Sequence, residues 1–77
     1  MDRHLFLAAP WDEADKNSPT LSVYFDITSG HYECDLDNQL AGIIKSTPDQ
    51  RWVDAETGQP TEISRRAGTL IDKRNSG

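Results

Sequence analysis

Thr20-Leu-Ser-Val-Tyr-Phe-Asp-Ile-Thr-Ser-Gly-His-Tyr-Glu-Cys-Asp-Leu36 is the stretch that decides the fold. Leu21, Val23, Phe25 and Ile27 alternate with Thr20, Ser22, Tyr24 and Asp26. A period of two belongs to a strand with one buried face. Thr28-Ser29-Gly30 supplies turn chemistry, since glycine takes positive φ without steric cost. The alternation then resumes, with Tyr32, Cys34 and Leu36 set against His31, Glu33 and Asp35. Two such runs around a turn predict an antiparallel hairpin, apolar on one face and polar on the other.

Working outward, His4-Leu5-Phe6-Leu7-Ala8-Ala9 is an apolar run of strand length stopped by Pro10, and reads as a buried strand. Trp11 to Pro19 is polar and reads as a loop. On the other side, Leu36, Leu40, Ile43 and Ile44 fall at helical spacing, with Asp35 or Asp37 as cap. That predicts a helix through Lys45, weakened by Gly42 by about 1 kcal/mol relative to alanine and ended at Thr47-Pro48. Gln50 to Asp54 reads as a short strand and Ala55 to Pro60 as a turn. Thr61 opens a last helix whose Ile63, Ala67, Leu70 and Ile71 share one face, with Glu62 and Arg66 as an i,i+4 pair. The expectation is an α+β domain over residues 1–74 in the order β-β-β-α-β-α, with residues 75–77 a frayed tail. Two helices would cover the Leu21/Phe25 and Tyr32/Cys34 face of a mainly antiparallel sheet of three to four strands.

Charge is laid out unevenly along the 77 residues, which carry thirteen acids against eight bases and a net charge of −5. Residues 11–37 hold seven acids (Asp12, Glu13, Asp15, Asp26, Glu33, Asp35, Asp37) and a single base, Lys16, a local −6. Residues 61–77 hold Arg65, Arg66, Lys73 and Arg74 against Glu62 and Asp72, a local +2. An acidic chain is a poor general ligand for phosphate backbones. It suits partners with basic surfaces, where charge sets association rate and specificity. The lone Cys34 excludes an internal disulfide framework, on which secreted domains of this size usually depend. Leu5 to Pro10 is too short for a signal-peptide core, and no apolar stretch approaches the roughly 20 residues of a membrane span. The cytoplasm is the expected compartment and no membrane the expected surroundings.

The hairpin reading makes one constellation. His31, Glu33, Asp35 and, by extension, Asp37 share a strand face, and Ser22, Tyr24 and Asp26 share it from the neighbouring strand. Alternate strand residues repeat at about 6.6–6.8 Å, close to the spacing of phosphates along a nucleic-acid strand. An acidic stripe with that repeat fits a groove whose lysines and arginines await a phosphate backbone. Trp11, Asp12, Glu13 and Asp15 add an aromatic anchor and three further acids. The same polarity also serves a plain solvated sheet face, and Trp11 reads first as a lid over the core edge and second as an exposed interface anchor.

Other chemistry finds little footing. His31 and Cys34 are three apart on a strand and so point to opposite faces, and structural zinc needs four ligands. Asp35 and Asp37 lack the glycine and closing glutamate of a calcium loop. No G-x-S-x-G, phosphate-loop or dinucleotide fingerprint is present. A non-enzymatic protein without metal or cofactor is expected. Thr61-Glu-Ile-Ser-Arg-Arg-Ala-Gly-Thr-Leu70, with Ser64 and Gly68 at small-residue and turn positions, resembles the first helix and turn of helix-turn-helix DNA binders. The resemblance covers ten residues and implies a following recognition helix, for which the stretch after Leu70 is too short. One continuous amphipathic helix is the expected form. The resulting functional expectation is a small acidic regulator or inhibitor, of the kind phages and mobile elements encode, acting as a nucleic-acid mimic. Its partner is a larger, nucleic-acid-handling protein, met through the acidic sheet face and the 11–16 loop. The alternative is a DNA-binding or structural component using Arg65, Arg66, Lys73 and Arg74.

Overall fold

Asp37 and Asn38 set the architecture. Both take positive φ, 51° and 69°, the signature of a two-residue hairpin turn whose twist matches that of the flanking strands. The chain therefore doubles back after Leu36 as a strand, where the spacing of Leu40, Ile43 and Ile44 had predicted a helix. In the computed structural model, which describes residues 3–76, five strands precede one helix. They are β1 (Arg3–Pro10), β2 (Thr20–Asp26), β3 (Tyr32–Leu36), β4 (Gln39–Ser46) and β5 (Trp52–Asp54), followed by α1 (Glu62–Ser76). The α+β class and the antiparallel sheet stand. The strand count and the first of the two expected helices are corrected: the order is five strands, then one helix.

The sheet is an antiparallel meander with strands in chain order. The hairpin at its centre pairs Leu21 with Leu36, Val23 with Cys34 and Phe25 with Tyr32. All six apolar partners thus share one face, and α1 covers it. The core is Leu21, Val23, Cys34 and Ile44 from the sheet with Ala67 and Ile71 from the helix, none of them exposed. A register shift between Leu5 and Leu7 bulges β1. Phe6 and Leu7 both pack against the core as a result, while Leu5 is left 58% exposed.

The helix begins with a reciprocal cap. Thr61 N donates to Ser64 Oγ at 2.8 Å, and Ser64 N donates to Thr61 Oγ1 at 3.0 Å, which satisfies two otherwise orphaned donors. Glu62 lies in the first turn and Lys73 and Arg74 in the last, each matched to the helix dipole. The helix is continuous through Gly68, with no turn between two shorter helices. Its buried residues are Ser64, Ala67, Gly68 and Ile71, a stripe of mostly small side chains that lets the axis approach the sheet. Gly68 meets Trp52, whose indole Nε1 donates to Asp72 Oδ2 at 3.2 Å. Among the described residues no helix is long and apolar enough to cross a membrane.

Candidate functional site

The polar side of the β2–β3 hairpin forms the sheet face opposite α1. Tyr24 stands across from Glu33, and Ser22 from Asp35. Arg3 completes the group from β1. Its guanidinium lies 4.2 Å from the centre of the Tyr24 ring, donates to Glu33 Oε1 at 3.0 Å and stands 3.9 Å from Asp35 Oδ2. Asp35 is only 6% exposed, and its Oδ1 is buried without a hydrogen-bond partner among the described residues. A buried carboxylate oxygen in this position is an acceptor short of a donor. Strand β4 borders the group, with Ile43 across from Glu33 and Leu40 across from Asp35. Leu40 is 61% exposed. Two of the most exposed large apolar side chains, Leu5 and Leu40, thus flank a partly buried acidic centre.

The other acids named from the sequence are distributed to the two ends of the sheet. Asp26 lies at the end of β2, where its Oδ1 accepts from Thr28 N at 2.9 Å and holds the 27–30 turn. His31 precedes β3, and its carbonyl accepts from Asp26 N. At the opposite end Asp37 Oδ1 accepts from Thr20 N at 2.9 Å. In the neighbouring loop Asp12 Oδ1 accepts from Ala14 N at 3.0 Å and Asp15 Oδ1 from Asn17 N at 2.9 Å. Asp12, Asp15 and Asp26 shape their own turns, while Asp37 ties the β3–β4 turn to the start of β2. Glu13 is exposed and joins them at that end.

Trp11 is half-buried against the core. The Arg66 guanidinium lies 4.4 Å from the centre of its ring and donates to the Trp11 carbonyl at 2.8 Å. One of the four helix cations is thereby committed to the loop, and it also stands 3.7 Å from Glu62. Arg74 sits over Phe6 at 5.5 Å. Arg65 and Lys73 are exposed.

Cys34 points the other way, into the core. Burial, and after it the charge of Asp35, pushes its thiol from an ordinary value of 9.0 up to about 12. The thiolate is the reactive form, so the native chain should resist a thiol reagent at neutral pH and react once unfolded in urea. A pH dependence follows. The unfolded thiol ionises near 9.0 and the native thiol at about 12. Between those values the native state holds a proton the unfolded state has lost, so this contribution is complete below pH 9 and declines as pH rises. The decline is about 1.4 kcal/mol per pH unit. Urea midpoints on either side of pH 9 should show it, and Cys34→Ala should remove that part of the slope. Equal slopes for the two proteins would disprove it.

Among the described residues no group of three or more His, Cys, Asp and Glu is placed to hold a metal ion. The sequence reading missed Arg3, whose ion-pair partner is thirty residues away. It also missed Leu40 and Ile43, because it had assigned them to a helix. The signal that could have found them was the Asp37-Asn38 pair. Comparison of the chain with protein-family models, curated proteins and solved structures finds no match.

Proposed function

We propose that this chain is a small, non-enzymatic binding protein that regulates or inhibits a larger, nucleic-acid-handling partner by occupying its basic surface. The observation that carries the reading is the β2–β3 register, which sets Tyr24 against Glu33 and Ser22 against Asp35 on the face that α1 leaves uncovered. Three features support it. Glu33 and Asp35 together carry one negative charge more than Arg3, the cation set between them, which leaves the group net acidic. Leu5 and Leu40 give the acidic centre an apolar flank, as interface cores have. Asp12, Glu13, Asp15 and Asp37 extend the negative charge past one end of the sheet, where they favour encounter with a basic groove.

The test uses immobilised polyarginine and immobilised duplex DNA as probes. The chain should be retained on polyarginine at low salt and pass through the DNA column. Glu33→Gln with Asp35→Asn should elute at distinctly lower salt. Asp49→Asn with Glu56→Gln, which removes the same charge from exposed turns, should elute near the wild type. Equal shifts for the two pairs would reduce the face to bulk charge and defeat the proposal. Retention on DNA instead would assign the function to the basic side of α1.

A further inference from the structure

The aromatic side chains fall into two sets. Phe6, Trp11 and Tyr24 each carry an arginine of the chain, with Arg74, Arg66 and Arg3 at 5.5, 4.4 and 4.2 Å from the respective ring centres. Phe25, Tyr32 and Trp52 make up the other set, and among the described residues no cation stands over them. Their rings are in sequence, Phe25 to Tyr32 at 5.1 Å and Tyr32 to Trp52 at 5.4 Å. All three line one cleft of about 360 Å³. Asp72 and Asn75 border it from the C-terminal half of α1.

The electrostatics of this cleft point to a cation. Asp72 is the only charged residue lining it, and among the described residues it has no ion pair. Its Oδ2 accepts from Trp52 Nε1, which ties the carboxylate to the aromatic wall. The C-terminal end of α1 adds the negative end of the helix dipole. Nearby cations line other clefts: Arg51 stands with Pro60 and Thr69, and Lys73 and Arg74 with Leu7 to Ala9.

We propose that the cleft binds a quaternary ammonium head. Aromatic faces are electronegative and attract a cation, and the shape selects its kind. The planes of Phe25 and Tyr32 are inclined at 54°, and those of Tyr32 and Trp52 at 74°. The rings therefore make converging walls rather than one platform. A planar guanidinium uses a single face. A tetrahedral methylated ammonium touches several walls at once and, having no N–H, needs no acceptor for each substituent. The proposal is independent of the acidic sheet face: Phe25 and Tyr32 occupy the side covered by α1, and Tyr24 and Glu33 the other.

NMR titration with choline tests it, with free trimethyllysine as a second arm. The control is the uncharged isostere of choline, in which carbon replaces nitrogen. Choline should give saturable shifts at the Trp52 Nε1 proton and at the Phe25 and Tyr32 ring protons. The isostere should bind at least about threefold more weakly. The tighter of choline and trimethyllysine names the source of the head, a small molecule or a modified lysine. Asp72→Asn keeps an oxygen to accept from the indole and should weaken choline binding by about threefold, leaving the isostere unaffected. Phe25→Leu should weaken choline binding by a similar factor with an unchanged circular dichroism spectrum. Absence of saturable shifts at these rings would overturn the proposal. So would equal affinity for choline and its isostere, or an Asp72→Asn variant that binds choline like the wild type.

Discussion

Gly68→Ala should destabilise the domain by about 2 kcal/mol or more, because an added methyl overpacks a filled contact. The sign is the informative part. In a helix interior, glycine to alanine ordinarily stabilises by about 1 kcal/mol through backbone entropy. At this position a Cβ would overlap Cγ and Cδ1 of Trp52 and lie 2.7 Å from its Cβ. Those atoms are the root of the side chain, so a rotation of the ring does not clear them. Trp52 is also held in place by Tyr32, whose ring meets it edge-on at 5.4 Å, and by Asp72. Either α1 lifts from the sheet or β5 shifts. In a chain of this length the loss corresponds to a melting temperature lower by about 10 °C or more. Urea unfolding and a thermal melt measure it. A variant as stable as the wild type would mean that the helix does not approach Trp52 this closely.

Gly68 shows how much of the fold was legible and where reading stopped. The β2–β3 hairpin was readable because its period of two is unbroken from Leu21 to Phe25 and again from Tyr32 to Leu36, and because Thr28-Ser29-Gly30 separates the runs. The last helix was readable from Ile63, Ala67, Leu70 and Ile71. Its closest approach was not, since glycine in a helix looks like a weakness or a turn until the facing tryptophan is known. The helix expected over Leu36 to Lys45 failed for a definite reason. Ile43 and Ile44 are adjacent and face opposite sides of β4, so their spacing fits both periods. The arbiter was local: Asp and Asn tolerate the left-handed region, and two of them in succession form a hairpin turn as Asn-Gly does.

The candidate site was legible to the same depth. Strand alternation placed Tyr24, Glu33 and Asp35 on a shared face, and the register bears that placement out. Alternation does not reveal that Arg3 crosses from β1 to partner Glu33, because nothing local fixes a pairing over thirty residues. Nor does it reveal that Asp12, Asp15 and Asp26 each hold a turn through Oδ1, or that Asp37 Oδ1 accepts from Thr20 N at the start of β2. A count of acids treats all seven alike. The structure separates those that shape loops from Glu33 and Asp35, which sit inside the sheet face.

Trp52→Ala should cost about 3 kcal/mol of stability, at the lower end for aromatic truncation because the ring is half-buried. The substitution removes the edge-on contact with Tyr32, the bond from Nε1 to Asp72 and the surface that fills the notch at Gly68. It opens a void between β5 and α1, the two elements that close the end of the sheet. The loss should appear as a lower urea midpoint with the slope retained, the mark of reduced stability without a changed denatured state. The double variant Trp52→Ala with Gly68→Ala isolates the contact. Once the indole is gone, an alanine at 68 no longer overlaps Cγ and Cδ1 and keeps only the 2.7 Å approach to the Cβ at 52, so the second substitution should cost clearly less than it does in the wild type. The cost of Gly68→Ala thus depends on whether the indole is present, a coupling that distant sites do not show. Additive losses would mean that the two residues do not touch, and that something other than Trp52 sets the helix against the sheet.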